Sequence, residues 1–133
     1  MGIGLMTATG RIVKIMNGSL PCWVAGMLAY VRADAPDLTH RQLAMLSIVQ
    51  FTSGPHTVRG LARQLRVSKP VITRALDKLT QLGYLRRQPD QNDGRNVFVV
   101  ATTQGAEFLE TFDRFFDADD GRGADRRVAG GAA

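Results

Sequence analysis

A chain of 133 residues with 44% apolar composition has the size of one domain with a buried core. It contains no uncharged apolar run of membrane-spanning length, and its opening stretch, MGIGLMTATGRIVKIMNG, lacks the small-residue cleavage site of a signal peptide; the expectation is a cytoplasmic, bacterial-type protein. Its single cysteine, Cys22, excludes an internal disulfide and a cysteine-rich zinc site.

In chain order, residues 1–18 read as a flexible arm with one β-like run, RIVKIM. Residues 19–33 read as a helix, with Ser19 as N-cap, Pro21 in the first turn, and Gly26 weakening the pattern. DAPD then breaks the chain. The next helix opens at Thr39, with Gln42 at capping-box spacing. Its Leu43, Leu46, Ser47 and Gln50 share one face, and Ala44, Ile48 and Phe51 another, which predicts burial on most sides. SGP at 53–55 ends it. A third helix starts at Thr57, where Val58, Leu61, Ala62 and Leu65 form one apolar stripe. The connection RVS is so short that the following helix must cross it steeply, the helix-turn-helix arrangement.

That fourth helix, 68–80, begins with Ser68 as N-cap and Pro70 in the first turn. Ile72, Ala75, Leu76 and Leu79 face the core. Pro70, Thr73, Arg74, Asp77 and Gln81 lie on the opposite face, with Lys78 at its margin. Gly83 ends the helix. YLRRQ and NVFVVA are strand-like runs joined by the polar turn segment PDQNDGR, which predicts an antiparallel hairpin over about 86–100. A last helix over 104–117, capped by Thr102 or Thr103, carries the stripe Phe108, Leu109, Phe112, Phe115 and Phe116. Residues 118–133 are rich in Gly, Ala and Asp and read as a disordered tail.

The charge is unevenly placed. Although the formal net charge is only +5, residues 57–96 hold nine cations against Asp77, Asp90 and Asp93, a local balance of +6. From residue 105 onward acids outnumber bases. A basic middle and an acidic end predict a localised polyanion-binding surface. The fold class is mainly α with a small β-hairpin (α+β), a winged helix-turn-helix over 19–117. Each part has a use on double-stranded DNA. Lys69, Thr73 and Arg74 lead the fourth helix toward base edges in the major groove, with Pro70 and Lys78 on the same surface. Ser68 and the first-turn N–H groups suit a phosphate. Arg63 and Arg66 flank the turn and grip the backbone. Arg87 on the first wing strand is a further contact candidate, with Arg86 or Arg87 alternatively only covering the sheet. Arg95 at the tip suits a narrow minor groove. The competing reading of the helix is a plain solvated face.

LTHRQLAMLSIV, VRGLARQLRVSKPVITRALDKLTQLGYLRR and PDQNDGRNVFVVATTQG resemble the MarR family of bacterial transcriptional regulators, over roughly 36–116. The resemblance implies a homodimeric winged-helix regulator, a repressor or an activator, on a near-palindromic operator, with a small phenolic or oxidant signal as effector; the repressor is the favoured reading. It also implies that Asp93 pairs with Arg95 to orient the wing tip. The terminal helices of such proteins dimerise, which here points to Trp23, Met27, Phe108, Phe112, Phe115 and Phe116. After Phe116 this chain turns Gly-rich where family members continue in long paired helices.

Other chemistry finds little footing. His40 and His56 lack partners at ligand spacing, so no metal or cofactor is expected. No nucleophile–base set, phosphate loop or paired carboxylates point to an enzyme. Cys22 among Pro21, Trp23 and Val24 reads as inert, with peroxide sensing as the alternative. A winged-helix module acting on another protein, such as the transcription machinery, is the competing function class.

Overall fold

The computed structural model describes Gly4–Met6, Ile12–Lys14 and Pro21–Asp117. Ser19, most of the 1–18 arm and the tail 118–133 lie outside the described residues. Within the arm the backbone forms two short antiparallel strands, β1 (Gly4–Met6) and β2 (Ile12–Lys14), with Leu5 opposite Val13. Only β2 falls in the β-like run of the sequence; β1 is too short and glycine-led to carry a strand pattern.

The remaining elements are α1 (Cys22–Arg32), α2 (His40–Phe51), β3 (His56–Thr57), α3 (Val58–Leu65), α4 (Lys69–Gln81), β4 (Leu85–Pro89), β5 (Val97–Ala101) and α5 (Thr103–Asp117). The chain divides into two units. One contains residues 36–111; the other contains β1, β2, α1 and the end of α5 from Phe112.

In the second unit, α1 begins at Cys22 with Pro21 at its N-cap, later than the expected Ser19 start. Proline has no side-chain oxygen to cap with, so its fixed φ starts the helix unaided. Gly26 is buried, and a Cβ there would run into the Phe116 ring. The glycine that weakens α1 as a helix is therefore what lets Phe116 sit against it. Tyr30 meets Phe112 and Phe115 edge-on, with ring centroids 5.2 and 5.7 Å away. Such pairs contribute about 0.5–1.5 kcal/mol each beyond the area they bury. The Cys22 thiol donates to the Phe116 carbonyl at 2.7 Å.

The 36–111 unit starts with a complete capping box on α2. Gln42 N–H donates to Thr39 Oγ1 at 3.1 Å, and Thr39 N–H to Gln42 Oε1 at 2.8 Å. Met45, Leu46 and Val49 are buried. The helix is less enclosed than its sequence suggests, because Phe51 at its end is 76% exposed. Leu46, Leu61, Ile72, Leu76 and Leu79, at 0–1% exposure, form the centre of the core. Truncating one of them to alanine costs about 2–5 kcal/mol.

The expected two-stranded wing is a three-stranded antiparallel sheet, in the order β3-β5-β4. β3 pairs His56 with Val99 and Thr57 with Phe98, too briefly to leave a period-two signature in the sequence. On the other side Leu85 faces Ala101 and Arg87 faces Val99. Thr102 ties this sheet to α5. Its hydroxyl donates to the carbonyls of Gly83 and Tyr84 (2.7 and 2.9 Å) and accepts from Gly105 N–H at 3.0 Å, capping α5. Gln50 reaches the Thr102 carbonyl at 3.0 Å. Phe108, expected at a dimer contact, is buried instead: its ring stacks on Tyr84 with centroids 4.7 Å apart. Only 9% of its surface is left exposed.

Candidate nucleic-acid interface

The interface is assembled on α3, the turn 66–68, α4 and the hairpin. α3 is capped by Thr57, whose hydroxyl accepts from Gly60 N–H at 2.9 Å. Its stripe Val58 and Leu61 is buried, leaving Arg59 and Arg63 exposed. The helix ends at Arg66, which adopts the left-handed conformation (φ 55°, ψ 45°). Two bonds close that end, Arg66 N–H to the Arg63 carbonyl at 3.3 Å and Val67 N–H to the Ala62 carbonyl at 3.0 Å. They are the paired bonds of a Schellman motif, in which glycine usually holds the left-handed position. An L-residue there costs about 1–2 kcal/mol. In exchange the tight turn carries a cation.

α4 then starts from Ser68 in extended conformation. Pro70 sits in its first turn, as expected, where no intrahelical N–H is missed. The Ser68 hydroxyl makes no capping bond and is exposed. Ile72, Ala75, Leu76 and Leu79 are buried, and Lys69, Pro70, Thr73, Arg74, Asp77 and Lys78 are exposed on the other side. The Thr73 hydroxyl donates to the Lys69 carbonyl at 3.1 Å. Its proton is thus used within the helix, so toward a ligand Thr73 presents oxygen lone pairs and a methyl group. The Arg74 guanidinium makes no hydrogen bond or ion pair with another described residue, and Arg74 is exposed.

A second Schellman motif redirects the chain into the hairpin. Gly83 has φ 79°, its N–H reaches the Thr80 carbonyl at 3.0 Å, and Tyr84 N–H reaches that of Leu79 at 2.9 Å. Strand alternation then assigns the two arginines of β4. Leu85 is buried, Arg86 is exposed, and Arg87 returns to the Leu85 face, half-buried. The Arg87 guanidinium pairs with the Asp77 carboxylate, and also donates to Thr80 Oγ1 at 3.2 Å and to the Thr73 carbonyl at 3.3 Å. Arg87, expected to face DNA, is turned onto α4 instead.

At the hairpin tip Asp90 accepts from Asn92 N–H at 2.9 Å and from the Asn96 side-chain amide at 3.3 Å. These donors, the Asn92 backbone first, hold the Asp90 carboxyl below the usual carboxylate range. Asp93 holds Arg95 through the backbone: its Oδ1 accepts from Arg95 N–H at 3.0 Å. Asp93 thus meets Arg95 through an Asx-type turn bond and not through the expected ion pair, and Arg95 is exposed. Elsewhere, burial raises the Tyr84 phenol above its ordinary range. The described residues hold no group of three or more His, Cys, Asp or Glu placed for a metal ion. None of the described helices is long and apolar enough to cross a membrane.

Three helices ending in a tightly turned pair, with a hairpin folded against the second of that pair, define a winged helix-turn-helix. Residues 38–97 match the model of the MarR family. The chain is 35% identical over 74 residues to the multiple antibiotic resistance protein MarR of Escherichia coli (strain K12), covering 56% of this chain and 51% of that protein. It is 30% identical over 69 residues to an uncharacterized HTH-type transcriptional regulator, YkoM, of Bacillus subtilis (strain 168), covering 52% of this chain and 44% of that one. The chain thus spans about half the length of the curated relatives it matches. Among solved structures, it resembles mutant MarR from E. coli complexed with operator DNA, with TM-score 0.58 and 28% identity over 74% of this chain and 66% of that one. The transcriptional regulator Tm0710 of Thermotoga maritima shares the fold, with TM-score 0.58 and 24% identity over 84% and 72%. Over this segment the chain is similar to the MarR family of regulators.

Proposed function

We propose that the protein is a sequence-specific double-stranded-DNA-binding transcriptional regulator that acts as a repressor. α4 enters the major groove with Lys69, Thr73 and Arg74 toward the bases, and the β4–β5 wing carries Arg95 toward the minor groove. The observation that carries this reading is the division of α4 into two faces. One is buried; the other presents Arg74, whose guanidinium has no partner among the described residues, between Lys69 and Lys78, beside exposed Arg63 and Arg66. A free guanidinium at that place suits a guanine edge or a phosphate. The similar MarR structure was solved with operator DNA, which supports duplex DNA as the ligand.

The protein works as a homodimer in this reading. Trp23, Met27 and Val31 lie on one stripe of α1 and are 59%, 41% and 77% exposed. An apolar stripe of this kind is what a second copy would cover. Selection of bound duplexes from a randomised pool tests both points. Enrichment of a near-palindrome with half-site centres about one helical turn apart is expected. A pool that stays random, or a single non-repeated half-site, would sink the reading.

A further inference from the structure

We infer that Arg87 is a positioning residue that sets the angle of the wing against the recognition helix, and not a DNA contact. This inference rests on the DNA-binding reading above. Three observations carry it. Strand alternation places Arg87 on the face of β4 that packs toward the core, below Leu85, so its side chain leaves the sheet toward α4. There it spans α4 lengthwise, meeting the Thr73 carbonyl, the Asp77 carboxylate and the Thr80 hydroxyl, three successive groups on one side of the helix. Finally, the wing's own hydrogen bonds stop short of α4: Asp90, Asn92, Asp93 and Asn96 bond only among themselves and Arg95. The Arg87 fork is the polar link between a hairpin that reads one groove and a helix that reads the next.

A planar guanidinium suits this task because its donors are fixed relative to one another. Two donors from one nitrogen and one from another, received by three acceptors on a rigid helix, leave the strand little freedom to roll. Asp77 then has a definite role as well. A carboxylate on the DNA-facing side of α4 repels phosphate, and its presence there needs an explanation. Held against Arg87, it neutralises a cation that would otherwise compete for the backbone and converts it into a hinge pin.

The two possible roles of Arg87 predict opposite signs. Affinity for a duplex selected as above is measured by fluorescence anisotropy across a salt series for the full chain and for Asp77→Ala, Arg87→Ala, the double variant and Asp77→Glu. If Arg87 positions the wing, Asp77→Ala and Arg87→Ala each weaken binding by about tenfold, and the double variant is no worse than either, because contacting residues are non-additive. The log–log salt slope stays that of the full chain, and Asp77→Glu, which keeps a carboxylate for Arg87, restores most of the affinity. If Arg87 instead grips a phosphate, Asp77→Ala tightens binding by removing a negative charge, and Arg87→Ala lowers the salt slope by about one unit. Either of those results overturns the inference. Thermal melts identify any variant lost to unfolding, and Asp77→Asn, which keeps the shape and removes only the charge, replaces it with the same expected loss. Absence of salt-dependent binding by the unaltered chain would instead refute the DNA-binding reading itself.

Discussion

Arg66 offers a perturbation whose effects on folding and on binding point in different directions. Replacing it with glycine removes the penalty of a left-handed L-residue, about 1–2 kcal/mol at φ 55°. Against this, glycine adds freedom to the unfolded chain, worth about 0.4–1 kcal/mol. The two closing bonds of the turn are backbone bonds and survive the change. The net effect is a stability gain between about zero and 1.5 kcal/mol, or a Tm rise of up to roughly 10 °C for a domain of this size. Arg66→Ala keeps the strained backbone and forgoes that gain. Both variants lose the same cation, so both should weaken DNA binding and lower the log–log salt slope by about 0.9. Urea unfolding and anisotropy titrations on the two variants read these quantities separately. A glycine variant destabilised by more than 1 kcal/mol would show that the Arg66 side chain, and not the turn backbone, holds α3 to α4. Unchanged affinity and slope in both would remove Arg66 from the interface.

Arg74→Ala should cost about 1–3 kcal/mol on the selected duplex and far less on random DNA; competition binding reads the ratio, and equal losses on both would place Arg74 on phosphate. Arg95→Ala should weaken binding to both duplexes alike, with discrimination retained. Gly105→Ala places a Cβ against the Tyr84 carbonyl oxygen and the Gln50 amide; overpacking there should destabilise by about 1–3 kcal/mol, visible as a lowered urea midpoint, and an unchanged midpoint would contradict the Thr102 junction. Val31→Asp, on the exposed stripe of α1, should convert the protein to a monomer by light scattering while its circular dichroism is kept. Asp90 has a depressed folded-state pKa, so its contribution to wing-tip order is fully present above the ordinary carboxylate value and fades as pH falls through the lowered one. The Asn92 amide resonance should therefore titrate below the usual aspartate range, and a midpoint at or above that range would show that the two donors are not in place.

The helical part of this fold was legible because its signals are local and mutually consistent. Thr39–Gln42, Thr57 and Pro70 each mark a helix start, and the stripes through Leu61 and Leu76 have a period that only a helix explains. The exposed face of α4 followed from the buried one. What escaped the reading depends on distant partners. β3 is two residues long and exists by pairing with β5 across some forty residues of chain. Phe108 looked like part of an interface stripe until Tyr84 supplied a ring to stack on. The left-handed Arg66 was hidden because arginine is an unusual choice for that conformation. Arg87 is an intermediate case. With Leu85 assigned to the core, period two already places Arg87 on the inward face, but its partners Asp77 and Thr80 belong to another element.

The central claim is that the outward face of α4 and its flanking arginines meet the DNA backbone and bases. Titration of the full chain into the selected duplex, repeated from about 50 to 200 mM salt, tests it most directly. Several phosphate contacts per protomer predict a log–log slope of about −4 or steeper. A slope near zero, or equal affinity for a scrambled duplex at every salt concentration, would contradict it.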